Sequence, residues 1–105
     1  MNKMKQYTKP ITINGTDYAI KLVDKVTVDR KECRGCLLPD SAVIEIEKDL
    51  ARPVYIQTML HEIIHAIGLD YCLDFSEEDV DRLASGFASL FRHNPQFIKS
   101  LLEEK

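Results

Sequence analysis

Residues 58–68 read TMLHEIIHAIG, and the reading of the whole chain turns on them. Met59, Leu60, Ile63, Ile64 and Ile67 recur at helical spacing. Upstream, Pro53 suits a first helical position; Gly68 suits the position just past a helix end. The pattern predicts one helix between them. On it His61 and His65 lie a turn apart, so both imidazoles project from one face. Two ring nitrogens can then reach one metal ion. Glu62 follows His61 directly, and can approach the open position of such a site and accept a proton from a water there.

Further downstream, Ser76 reads as the cap of a second helix, with Asp79 three residues on. Its apolar positions are Val80, Leu83, Ala84, Phe87, Leu90 and Phe91, a stripe expected to be core. Asn94-Pro95 restarts a short third helix, with Phe97, Ile98, Leu101 and Leu102 expected inward. Upstream, ITINGTDYAIKLV (11–23) alternates on both sides of Asn14-Gly15 and reads as a β-hairpin. KVTVD (25–29) extends it or opens another strand. ECRGCLLPDS (32–41) reads as a loop, punctuated by Gly35 and Pro39. AVIEIE (42–47) reads as an edge strand, its glutamates blunting edge pairing. The expected fold is α+β and minimal zincin-like: a small antiparallel sheet packed on two main helices and a short C-terminal one. Residues 1–105 make one domain, with polar residues 1–9 frayed.

Composition narrows the function. A net charge of -3 with scattered basic residues excludes a nucleic-acid footprint, which needs a clustered positive patch. No apolar run is long enough for a membrane span, and no signal-peptide pattern is present. Three cysteines are an odd count, which fits a reducing compartment better than a disulfide framework. The cytoplasm is therefore the expected location.

A chance origin for the His-Glu-x-x-His pattern is weak: ordinary residue usage gives it in roughly one domain of this length in several hundred. Two buried, unpaired histidines would also cost about 1–3 kcal/mol each. A zinc site needs a third ligand, and Asp70, Cys72, Asp74, Glu77, Glu78, Asp79, Asp81 and His93 lie downstream. Glu77 lines up with Val80, Ala84, Phe87 and Phe91, and Asp81 follows it by one turn. Glu77 is thus the expected ligand and Asp81 the partner that holds a histidine ring by its other nitrogen. Glu78 is the alternative third ligand, because helix starts shift by a residue or two.

IQTMLHEIIHAIG (56–68) followed by SEEDVDRLASGFASLFRHNP (76–95) resembles the small zinc metallopeptidase domains of phages and prophages. These are similar to the ImmA/IrrE type within the gluzincin group. The resemblance takes in ITINGTDYAIKLVD (11–24) and AVIEIE as well. It implies Zn2+ held by His61, His65 and a glutamate of the next helix, with Glu62 as general base; Glu77 with Asp81 matches the group's glutamate–aspartate spacing. It also implies an edge strand that pairs with an extended substrate. The substrate would be a peptide or protein, a transcriptional regulator by analogy. This chain has no room for the DNA-binding module such proteins often carry.

Cys33 and Cys36 have the spacing of half a structural metal site, with Cys72 a distant third; one such pair is a weak signal. Two loop thiols and a small apolar Cys72 are the simpler account. His93 suits a helix C-terminus. Tyr55, Tyr71 and Arg82 are candidate oxyanion donors. A rival function is a metal-stabilised binding or regulatory domain without turnover. A closed four-ligand site including Cys72 would favour it.

Overall fold

The computed structural model describes residues 6–103. Six strands come first: β1 (Ile11–Ile13), β2 (Thr16–Val23), β3 (Val26–Val28), β4 (Lys31–Cys33), β5 (Gly35–Leu38) and β6 (Val43–Glu47). Three helices follow: α1 (Arg52–Asp70), α2 (Glu77–His93) and α3 (Pro95–Leu102). The fold is a small α+β arrangement, as the sequence indicates.

The sheet is mixed rather than antiparallel. Its order is β1-β2-β6-β5, and β3-β4 form a separate hairpin. The Asn14-Gly15 turn joins β1 to β2, with Gly15 at φ +84° and Asn14 at φ +50°. β6 then returns parallel to β2, pairing Ile20 with Ile44 and Leu22 with Ile46. β6 is therefore internal, not the expected edge. Glu45 and Glu47 stand half-buried on its outer face, while Ile44 and Ile46 point inward and are fully buried.

The free edge beside β6 is β5, in the stretch expected to be a loop. Gly35 is there for close approach rather than for a turn. A Cβ at Gly35 would lie 2.7 Å from Thr58 Cγ2 and 3.1 Å from Ile46 Cδ1, so α1 lies directly on this strand. Pro39–Ser41 forms a 3-10 turn that leads into β6.

α1 is buried on several faces because it lies between the sheet and α2. Towards the sheet, Tyr55 and Ala66 pack with Tyr18, Ile20, Ile44 and Ile46. Towards α2, Ile64 packs with Val80 and Ala84. The helix runs past Gly68 to Asp70, so Gly68 is inside it and not just beyond. The chain folds back over it: Leu73 N–H donates to Gly68 O at 2.8 Å, and a Cβ there would touch the Phe75 ring at 3.5 Å. Cys72, at φ +54°, takes the left-handed position that a glycine commonly fills.

Two expected burials are absent. Leu83, Phe87, Leu90 and Phe91 on α2 are 36–44% exposed, and Phe97, Leu101 and Leu102 on α3 are 52–77% exposed. Only Val80 and Ala84 of the α2 stripe reach the core, because α1 covers just one flank of the helix. Of the segment expected to fray, residues 1–5 lie outside the described residues. Residues 6–9 are irregular yet anchored: Tyr7 N–H donates to Tyr55 Oη at 3.2 Å, and Gln6 accepts from Asp49 N–H at 3.3 Å.

Candidate metal centre

The Ser76 side chain accepts a hydrogen bond from Asp79 N–H at 3.1 Å and starts α2. That start, with Ile64 packed on Val80 and Ala84, turns Glu77 and Asp81 towards the histidine face of α1. Glu77 Oε2 lies 2.9 Å from His61 Nε2, and Glu77 Oε1 lies 2.9 Å from His65 Nε2. The two Nε2 atoms are 3.2 Å apart. Donors on a tetrahedral zinc site, at about 2.0–2.1 Å from the ion, stand roughly 3.3 Å from one another.

Asp81 Oδ1 meets His61 Nδ1 at 2.7 Å. A carboxylate only accepts, so Nδ1 donates to Asp81, while Nε2 faces the Glu77 carboxylate and either donates a proton to it or turns a lone pair to a cation between them. Nitrogen and carboxylate lone pairs thus crowd one point, and only protons or a cation can relieve that. His61, His65 and Glu77 form a group that could hold a metal ion. Glu78, the alternative, is turned away and paired with Arg82 one turn along.

Glu62 occupies a different environment. It is 7% exposed, beneath β5. Its carboxyl is pushed up to about 7, first by burial and then by the negative charges of Glu77 and Asp81. His61 and a hydrogen bond from the Leu37 backbone oppose that rise.

The Leu37 bond was not legible in the sequence, because 32–41 reads as a loop. It follows from the ladder. Glu47 N–H donates to Arg34 O at 2.8 Å, and Gly35 and Leu37 stand opposite Ile46 and Ile44. In an antiparallel ladder such pairs alternate, so Gly35 and Leu37 turn their backbone groups away from β6 to the open edge. That edge borders a cleft of about 740 Å³ lined by the two histidines, Glu62 and Glu77, within the usual size range for ligand sites.

The remaining candidates do not converge here. Among the described residues no cysteine joins the three-ligand group, so Cys72 does not close the site. Cys33 and Cys36 line the cleft as free thiols, Cys36 with its ionisation pushed up by burial and by Glu62. His93 lies 3.3 Å from Ser89 Oγ in the last turn of α2. Tyr55 bonds Tyr7, Tyr71 bonds Asn14, and Arg82 is held by Glu78, so none of the three lines the cleft. No helix among the described residues is long and apolar enough to cross a membrane.

No family model, curated protein or solved structure matches this chain.

Proposed function

We propose that the chain is a zinc-dependent peptide-bond hydrolase that takes an extended peptide or protein segment as substrate. The observation that carries this reading is the buried Glu62 beside a three-donor group with a cleft in front of it. A purely structural site has no need of a carboxyl whose ionisation is raised to about 7.

Zinc, when bound, supplies Lewis acidity towards a water and the scissile carbonyl. His61, His65 and Glu77 would hold it, and Asp81, accepting from His61 Nδ1, would leave Nε2 to the metal. Glu62 accepts the proton of the attacking water and passes it to the departing amine nitrogen, a task for which a group titrating near neutrality is suited. Leu37 N–H orients the Glu62 carboxylate. The outward backbone groups of Gly35 and Leu37 are placed to pair with substrate main chain. β5 thus takes the role that sequence reasoning gave to 42–47. The resemblance to phage and prophage metallopeptidases suggests a cytoplasmic enzyme and makes a transcriptional regulator one candidate substrate.

One observation favours the rival. The group bridges α1 to α2, as a metal stapling a non-catalytic domain would. Glu62→Gln separates the two. Zinc-loaded protein and the variant would be incubated with unfolded protein substrates, and products read by mass spectrometry. The hydrolase reading expects cleavage by the parent and equal zinc content in the variant, with a rate lower by about 10²–10⁴-fold. Cleavage by Glu62→Gln at the parental rate would remove Glu62 from the mechanism. No cleavage by either would favour the rival.

A further inference from the structure

The stripe of α1 that carries His61 and His65 continues on either side of the metal group. One turn before His61 stands Gln57, whose amide donates to Asp81 O at 3.1 Å. One turn after His65 stands Leu69, and it is 55% exposed. β5 runs beside α1 in the same direction, Gly35 against Thr58 and Leu37 against Glu62. The cleft is therefore polar at one end and apolar at the other. Arg34 and Gln57 line the first, and Leu69, Leu73 and Phe75 line the second.

The apolar end is built by the way α1 stops. Cys72 N–H donates to Leu69 O at 3.3 Å, and Leu73 N–H donates to Gly68 O at 2.8 Å. With Cys72 in the left-handed region, these two bonds make a Schellman closure. An apolar residue at the position of Leu73 ordinarily packs against a side chain of the last turn, at the place of Gly68 or Ile67. Gly68 has none to offer, and the Phe75 ring lies over it. Leu73 is left 50% exposed. Two half-exposed leucines and a partly buried phenylalanine are thus pinned by backbone bonds one turn beyond a metal ligand.

We propose that Leu69, Leu73 and Phe75 form a subsite for an apolar side chain of the substrate, within about two residues of the bond cut. The substrate in this proposal rests on the hydrolase reading; the wall rests on the contacts just described. Position sets the occupant. Four helical residues rise about 6 Å and a strand advances about 3.3 Å per residue, so a peptide laid along β5 carries its first or second side chain from the metal past Leu69. Chemistry sets the class. A leucine or phenylalanine side chain seated there takes apolar surface out of water on both partners. Asp74 is the one charged residue between Tyr71 and Phe75, and it disfavours an acidic side chain.

Binding tests the subsite without turnover. Zinc-loaded full chain would be titrated with two series of short peptide hydroxamates, the chelating group at the C-terminal end in one and at the N-terminal end in the other. The two residues nearest that group would be varied among leucine, glycine, glutamate and lysine. At one position leucine should bind at least about 10-fold tighter than the other three. Leu69→Ser and Leu73→Ser should each erase most of that difference, with the zinc content and circular dichroism spectrum of the parent. Leu101→Ser, exposed on α3 and outside the cleft, should keep it. Equal affinities throughout, a preference for lysine, or no binding by any member overturns the subsite. So does a leucine preference that survives both cleft variants. A leucine preference lost in both variants, in a protein that cleaves no peptide, supports the subsite and counts against turnover alone.

Discussion

Replacing Glu62 with glutamine should flatten the pH dependence of stability in the metal-free chain. Burial raises the Glu62 carboxyl from 4.5 to about 7, while in the unfolded chain it returns to its ordinary value. Between those two pH values the folded state holds one proton more than the unfolded state, so stability falls as pH rises through the window. The fall is complete once pH exceeds the folded value. At 1.36 kcal/mol per pH unit the span is worth about 3 kcal/mol, a large part of the roughly 5–15 kcal/mol that holds a small domain together. Glutamine has nearly the same shape, keeps an oxygen for the Leu37 N–H and cannot ionise. Urea unfolding of parent and variant, with chelator present, from pH 4.5 to 8 would measure this. The variant should gain on the parent steadily, by about 3 kcal/mol in all, with the gain levelling off above pH 7. Every other titratable group is present in both proteins, so the difference reports on Glu62. Parallel pH curves would refute the claim that burial holds this carboxyl in its neutral form.

Three further outcomes follow from named contacts. Gly35→Ala should cost about 1–3 kcal/mol in thermal unfolding, because its methyl would meet Thr58 Cγ2 at 2.7 Å; Thr58→Ser, which removes that methyl, should recover part of the loss. Asp81→Asn should weaken zinc binding about 10–100-fold in a chelator competition, by loosening the His61 ring, whereas Glu78→Gln should leave it unchanged. Ser76→Ala should lower stability by about 1 kcal/mol through loss of the bond to Asp79 N–H, read as a shift in the unfolding midpoint.

The candidate site was more legible than the sheet. His61, Glu62 and His65 sit on a helix whose periodicity fixes their faces, and Ser76 fixes the start of the next helix and so the direction of Glu77. Local rules reach that far. The parallel pairing of β2 with β6 is a long-range choice that no alternation encodes. Glu45 and Glu47 looked like edge charges, but a half-buried face of an internal strand accommodates them equally well. Gly35 looked like punctuation and is a packing residue, because only α1 lying on β5 requires it to lack a side chain. Gly68 misled for the same reason: Phe75 folds over it from beyond the helix end. The stripe through Phe87 and Phe91 reads as core by its period, and period alone does not say whether the chain itself supplies the cover.

The central claim is that His61, His65 and Glu77 form one metal site. Dialysed parent protein, His61→Ala/His65→Ala, Glu77→Gln and Glu78→Gln should each be titrated with zinc against a chromophoric chelator. The parent and Glu78→Gln should each bind about one zinc per chain, Glu77→Gln should bind it markedly more weakly, and the double variant should hold none at the site. Stoichiometric zinc in the double variant, or no zinc in the parent, would contradict it.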